Sequence, residues 1–242
     1  MADLPIIIPD WPAPAHVKAL QTTRLGGVST GVYASLNLGD HVKDQPQYVA
    51  ANRQRLSPLL PSEPVWLNQV HGIRVIDAAQ ASCIESADAS FSTHKQVVCV
   101  TMTADCLPVL LCDQAGTVVA AVHAGWRSLC DGVIEATVHT MPVAASSLMA
   151  WLGPAIGPQA FEVGGEVRAQ FMAVDAQAET AFVSHGDKWL GDLYTLARQR
   201  LQRLGVTQVY GGGRCTYSEA ETFFSYRRDG DTGRMASMIW LE

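Results

Sequence analysis

Apolar positions recur along this chain in two rhythms, one of about 3.6 residues and one of two, with some runs continuously apolar. The shorter rhythm and the continuous runs predict strands over 17–23, 65–71, 73–77, 148–153, 207–211 and 235–241. Between 97 and 123 three β-branched apolar runs are broken by Thr103-Ala-Asp105 and by Asp113-Gln-Ala-Gly116, and the second break has the composition of a hairpin loop. The longer rhythm predicts three helices. One covers 46–60, with Val49, Leu56 and Leu60 inward. A second covers 129–140, with Ser128 as its N-cap and Leu129, Val133, Ile134 and Val138 as its apolar stripe. The third covers 188–204, with Leu190, Leu193, Leu196, Ala197, Leu201 and Leu204 inward and Gly205 as its stop.

Hairpins and helices alternate without a regular βαβ rhythm, which predicts an α+β fold with mixed or antiparallel sheets flanked by helices. No repeat, low-complexity tract or Pro/Ser/Gly-rich linker divides the 242 residues, so the chain reads as a single domain, 1–242. No GxGxxG or P-loop pattern supports a nucleotide-cofactor fold.

Composition narrows the classes of function. The 17 basic and 23 acidic residues are spread along the chain, which argues against a general nucleic-acid binder with its basic face and leaves room for one local anion pocket. The N-terminal stretch lacks a basic region, and Pro5 and Pro9 interrupt its apolar run, so it does not read as a signal peptide. No apolar run reaches the roughly 20 residues of a membrane span. With no export signal, the six cysteines read as thiols and the compartment as cytoplasm. Cys83, Cys99, Cys112 and Cys130 read as small core residues. His16, His94, His139 and His185 read as surface residues, and His41 is ambiguous.

The hairpin carries the candidate chemistry. A four-residue loop over Asp113–Gly116 pairs Cys112 with Thr117, and stepping outward brings Cys106 opposite His123. Directly opposed Cβ atoms lie about 4.5–5.5 Å apart, close enough for two ligands on one metal, whereas a one-residue slip would separate them. His71 ends another short strand just before Gly72, a similar rim position. Two imidazoles and a thiolate suit zinc and leave a fourth position open. The alternative for His71, Cys106 and His123 is a buried thiol with two hydrogen-bonded histidines. Gly125-Trp-Arg127 leads from His123 into a helix N-terminus, a place for an anion with Arg127 adding a bidentate contact. Arg24, in its Gly-rich loop, and Tyr226-Arg-Arg228 offer further guanidinium groups. Trp126, Phe224 and Tyr226 are candidates to stack on a ring.

Seven blocks together resemble a known family: Thr22-Thr-Arg-Leu-Gly-Gly-Val-Ser29, Ser35-Leu-Asn-Leu-Gly39, Trp66-Leu-Asn-Gln-Val-His-Gly72, Thr103-Ala-Asp-Cys-Leu-Pro-Val109, Ala121-Val-His-Ala-Gly-Trp-Arg127, Trp151-Leu-Gly-Pro-Ala-Ile-Gly-Pro158 and Phe224-Ser-Tyr-Arg-Arg228. They look like the YfiH-type, or laccase-domain, proteins, also called multicopper polyphenol oxidase-like proteins or peptidoglycan editing factors. The resemblance runs from about residue 20 to the C-terminus. It implies an α+β fold related to cysteine hydrolases and a zinc site on His71, Cys106 and His123. It also implies phosphorolysis of adenosine, inosine and methylthioadenosine, with a subsidiary adenosine deaminase activity. Small nucleosides and phosphate are then the partners, with neither nucleic acid nor membrane among them.

On that reading Asp105, beside Cys106, is the candidate acid/base, with a turn-capping carboxylate as its alternative. Arg127 and Arg24 are the candidates for phosphate. Two rival chemistries remain. Cys106 with His123 as its base forms a cysteine hydrolase or amidase pair, suited to editing peptidoglycan precursors. The three ligands would also take one copper, giving a single-site polyphenol oxidase. Seven histidines with no HxH pair do not furnish a multicopper cluster.

Overall fold

The computed structural model describes residues 4–242, so the first three residues of the stretch read above for a leader lie outside it. Six strands form a mixed sheet in the order Gln208–Gly211, Leu148–Leu152, Leu107–Asp113, Val119–Ala124, Ala89–Ser92, Val75–Asp77. Its two outer pairs are parallel and its inner pairs antiparallel. An antiparallel sheet, Ile6–Ile7, Val17–Thr22, Met235–Leu241, Cys99–Thr103, packs against it.

The alternation of side chains along each strand explains the layering. Leu107, Val109 and Leu111 share one cluster with Val133, Ile134 and Val138 of helix Val133–Thr140 and with Leu196 and Leu201 of helix Leu193–Arg203. Leu110 and Cys112 belong instead to the cluster between the sheets, with Val119, Ala121, Cys99 and Ile239. On the far side of the four-stranded sheet, Leu20, Val100, Met102 and Met238 pack with Leu36, Leu38 and Leu56, the last from helix Pro46–Leu56. Both sheets are therefore covered on both faces, which is why their strands read as continuous apolar runs. The layers run helix, sheet, sheet, helix, an α+β arrangement. Among the described residues no helix is long and apolar enough to cross a membrane.

The hairpin register differs from the expected one. Pro108, not Cys106, lies opposite His123, and Leu107 lies opposite Ala124. Asp113 is the cause. Its Oδ1 accepts from the Thr117 N–H at 2.6 Å and the Val118 N–H at 3.0 Å, and its Oδ2 accepts from the Thr117 hydroxyl at 2.9 Å. Those bonds keep Asp113 in the strand and move the loop one residue along. The pairing shifts by two, so the side-chain faces are conserved and Cys106 and His123 stay on the same side.

Three helices also depart from the periodic reading. The segment 188–204 is a strand, Lys188–Gly191, followed by the helix Leu193–Arg203. Asp192 separates them by accepting from the N–H groups of Tyr194 and Thr195. The 129–140 helix starts earlier and breaks at Gly132, whose φ is +102°, into Trp126–Asp131 and Val133–Thr140. Gly125 is its N-cap, and the Ser128 hydroxyl donates backwards to the carbonyls of His123 and Gly125. The first helix ends at Leu56 and tightens into a 3-10 turn, Ser57–Leu59, where Pro58 has no N–H to continue the ladder. The expected strands 65–71 and 73–77 shorten to Leu67–Asn68 and Val75–Asp77. Strands Ala89–Ser92 and Phe182–His185 and helix Gly165–Val174 were not expected. Cys83, read as a core residue, is exposed.

Replacing Asp113 by Ala strands the Thr117 and Val118 N–H groups. Equilibrium unfolding near neutral pH is expected to show a loss of about 1–3 kcal/mol. Burial alone would raise the Asp113 carboxyl, yet the bonds from Val118 and Thr117 hold it below the usual carboxylate range. A depressed carboxyl stabilises fully above its unfolded value of about 3.9 and loses that contribution as pH falls through its folded value. The difference in thermal midpoint between wild type and D113A should therefore narrow in acid. A constant difference from neutral pH down to about pH 2 would contradict this account.

Candidate functional site

The chain leaves one sheet at Thr103 and enters the other at Leu107, so Ala104, Asp105 and Cys106 make the crossing. Asp105 turns the corner with φ +88°, in the left-handed region that side chains rarely adopt. Its carboxylate holds the turn: Oδ1 accepts from the Thr216 hydroxyl at 2.6 Å and Oδ2 from the Arg227 N–H at 2.6 Å. Cys106 follows, half-buried at the open end of the inter-sheet space. His123 is buried there as well, because it continues the face of Val119 and Ala121.

His71 reaches the same point from the loop after Leu67–Asn68. Its φ of +59° is also left-handed. The buried Asp88 carboxylate imposes that curl. It accepts from the backbone N–H groups of Val70 at 3.2 Å, His71 at 2.9 Å and Gly72 at 2.7 Å. It also accepts from His123 Nδ1 at 2.8 Å, which leaves His123 Nε2 free for the cleft. Gln69 pins the start of the loop by donating to the Met102 carbonyl and accepting from the Met102 N–H. Sequence reasoning missed Asp88. Its signal was an acid isolated among small residues in Ser86-Ala-Asp-Ala-Ser90.

The ligating atoms of His71, Cys106 and His123 lie within 4.8 Å of one another, and among the described residues they are the one such group of three. Cys106 Sγ is 3.7 Å from His71 Nε2, and the two imidazoles meet edge to face with centroids 4.7 Å apart. Gly125 closes over them. A Cβ there would lie 2.8 Å from His71 Cδ2 and 3.0 Å from Cys106 Sγ, so only glycine admits both ligands. One thiolate, two imidazoles and a carboxylate behind one ring form a donor set that fits a divalent metal ion.

The electrostatics agree. Burial alone would raise the Cys106 thiol, but His123 and then His71 overcome it and bring the thiol down to about 6. Burial alone would lower His123; the Cys106 thiolate and Asp88 lift it to about 9. Burial would likewise raise Asp88, yet the bonds from His123, Gly72 and Val70 keep it low.

The cluster opens into a cleft of about 450 Å³. Its walls include Trp126, Phe161 and Tyr226, the guanidinium-bearing Arg227 and Arg234, and His41. Two residues expected to bind an anion are not among the lining groups. Arg127 is exposed and lies over the Trp126 ring at 4.9 Å. Arg24 donates to the carbonyls of Ala34 and Ala220 and covers Phe224, which is fully buried. Arg234 had not been singled out, because it sits outside any motif and reaches the cleft only through the pairing of Met235–Leu241. His16, His94, His139 and His185 are exposed.

The family model described as multi-copper polyphenol oxidoreductase laccase matches residues 18–242. The chain is 59% identical over 239 residues to Purine nucleoside phosphorylase YfiH of Escherichia coli K12, covering 98% of each chain. It is 55% identical over 238 residues to Purine nucleoside phosphorylase PA4543 of Pseudomonas aeruginosa, again covering 98% of each. Among solved structures, Neisseria meningitidis protein NMB0706 superposes with a TM-score of 0.95 at 54% identity, covering 98% of this chain and 99% of that one. YlmD from Geobacillus stearothermophilus gives 0.86 at 29% identity, covering 98% and 100%.

Two outcomes follow from this geometry. In metal-free protein, Cys106 should be alkylated by iodoacetamide with a pH midpoint near about 6. His123→Ala should return the midpoint toward the ordinary thiol value of about 8.5, and an unchanged midpoint would refute the pairing. Asp88→Asn removes an acceptor from the loop N–H groups and the charge behind His123. Zinc titration should show affinity lower by about 10- to 100-fold, and wild-type affinity in that variant would sink the assignment.

Proposed function

The chain belongs to the multi-copper polyphenol oxidoreductase laccase family, and from that membership, with relatives named purine nucleoside phosphorylase, we propose that it is a zinc-dependent purine nucleoside phosphorylase. Adenosine, inosine and methylthioadenosine are the proposed substrates, split to free base and the sugar 1-phosphate, with adenosine deamination as a side activity of the same cleft. The observation that carries the reading is the combination in one cleft of a His–Cys–His ligand set with two guanidinium groups.

Zinc held by His71, Cys106 and His123 would supply a Lewis acid for charge developing on the substrate. The chain's own residues do the rest. Arg227 and Arg234 take over the anion-binding role first expected of Arg127 and Arg24, since they line the cleft and offer planar donors to phosphate. Arg227 is held in place at both ends: its N–H on Asp105 and its NH1 on the Glu162 carbonyl at 2.8 Å. Asp105, whose two oxygens each accept a bond, positions Arg227 and the crossing turn. Trp126, Phe161 and Tyr226 give the purine flat apolar surface, and Ile156 and Leu193 help exclude water.

A second reading has its own observation. A thiol lowered to about 6 beside an imidazole is also a cysteine nucleophile with its base, as an amidase editing peptidoglycan precursors would need. The same ligands suit one copper ion, which would make polyphenol oxidation a single-site activity.

Incubation of zinc-loaded protein with inosine, with and without inorganic phosphate, separates these readings. Hypoxanthine and ribose 1-phosphate should appear only with phosphate, and Cys106→Ala should abolish both metal retention and turnover. Base release independent of phosphate would replace phosphorolysis by hydrolysis. No base release, combined with amide cleavage that stops on Cys106 alkylation, would install the second reading.

A further inference from the structure

One titratable ring in the cleft wall has no task in the site described above. His41 follows the loop Leu36–Asp40, and the buried Asn37 holds that loop. Asn37 Oδ1 accepts from the Gly39 N–H at 3.0 Å and the Arg234 N–H at 2.9 Å, and its Nδ2 donates to the Gly39 carbonyl. Gly39 is thereby pressed between two side chains. A Cβ on it would lie 2.8 Å from Arg234 Cγ and 3.3 Å from His41 Cε1. His41 and Arg234 are therefore immediate neighbours, and both line the cleft.

The other titratable lining groups are engaged. His71, Cys106 and His123 form the ligand set. Asp105 spends one oxygen on Thr216 and the other on Arg227. Arg227 and Arg234 present guanidinium donors and no acceptor. The His41 ring has its nearest acid, Asp40 Oδ1, 3.8 Å from Nδ1, beyond hydrogen-bond reach.

We propose that His41 is the catalytic base that takes the proton of hydrogen phosphate held beside it by Arg234. The inference rests on the phosphorylase reading. As the proton moves from the phosphate O–H to the imidazole, the freed oxygen pair forms the bond to C1′ of the sugar. The C1′–N9 bond breaks with its electron pair on the purine. The imidazolium then returns the proton through the cleft to the purine nitrogen, so nothing else is consumed. The surroundings favour this use. Partial burial and the Arg234 charge, with smaller contributions from His123 and Arg53, lower His41 below its ordinary value of 6.5 against the opposing pull of Asp40. A lowered imidazole is neutral near pH 7 and loses its basic form only in acid.

The test uses zinc-loaded enzyme with inosine and phosphate, comparing wild type with His41→Ala and His41→Gln. Both variants should lose about a hundredfold in kcat, within the range of general-base removal. KM for inosine, zinc content and thermal midpoint should be unchanged. The acid limb of the wild-type kcat profile should vanish in H41A, and added imidazole should restore turnover. A kcat within threefold of wild type would overturn the proposal. So would a loss that imidazole does not restore while the acid limb persists. If wild type itself releases no base with phosphate, the phosphorylase reading falls and this inference with it. If wild type is active and H41A matches it, only the role of His41 falls.

Discussion

The Asp88 carboxylate accepts four hydrogen bonds, three of them from the backbone N–H groups of consecutive residues and the fourth from an imidazole. The consequence is geometric. Three neighbouring N–H groups converge on one carboxylate only if the chain curls tightly, and His71 adopts its left-handed φ at the centre of that curl. A non-glycine residue in that region costs of order 1–3 kcal/mol and persists only when its surroundings over-determine it. Here the surroundings are one acid. Because the same acid holds His123 Nδ1, both imidazoles take their places from a single group, and the tautomer of His123 that exposes Nε2 follows. Asp88 also precedes strand Ala89–Ser92, and its own carbonyl accepts from the His123 N–H, so the second histidine is fixed through backbone and side chain alike.

The sheets explain why the third ligand arrives at the same spot. Cys106 belongs to the three residues that carry the chain from one sheet to the other, and such a crossing must lie at an end of the inter-sheet space. Thr103 and Leu107 are both buried, so the crossing has no freedom to swing away. Asp105 fixes its corner from two further segments, through the Thr216 hydroxyl and the Arg227 N–H. Gly125 completes the enclosure from strand Val119–Ala124. The centre thus draws on six separate stretches of chain, each held by bonds that involve no metal, which is the preorganisation a ligand set needs before an ion arrives.

Much of this was legible in the sequence, and the failures have physical causes. Strand Met235–Leu241 and the 97–123 hairpin follow from apolar runs alone. The hairpin loop was placed one residue too early because Asp113 looks like a turn residue but acts as a strand-end acceptor. Cys106 is not paired with His123, but the two stay on the same face because a shift of two preserves it. The 188–204 helix was overextended because Leu190 fits the helical stripe from within a strand, and only the capping bonds of Asp192 reveal the break. The ligands were visible as residue types. Asp88 was not, since its role depends on two loops meeting. The arginines were misplaced for a similar reason. Arg24 and Arg127 sit in motifs, whereas Arg234 reaches the cleft through a strand whose sequence shows only that it is buried.

The ligand set by itself does not separate nucleoside chemistry from oxidation, because two imidazoles and a thiolate suit zinc or a single copper equally well. The arginines that line the same cleft favour the proposed nucleoside reading. Removing an electron from a phenol leaves no anion that needs two planar guanidinium groups. A phosphate nucleophile needs them. Arg234 is a telling case, since NH1 already serves the carbonyls of Thr232 and Gly233 while burial works against its charge. An arginine kept partly buried beside a thiolate and an aspartate, with donors still unassigned, is suited to an incoming anion more than to structure. Charge placement, rather than ligand identity, is what carries the nucleoside reading over the oxidase one.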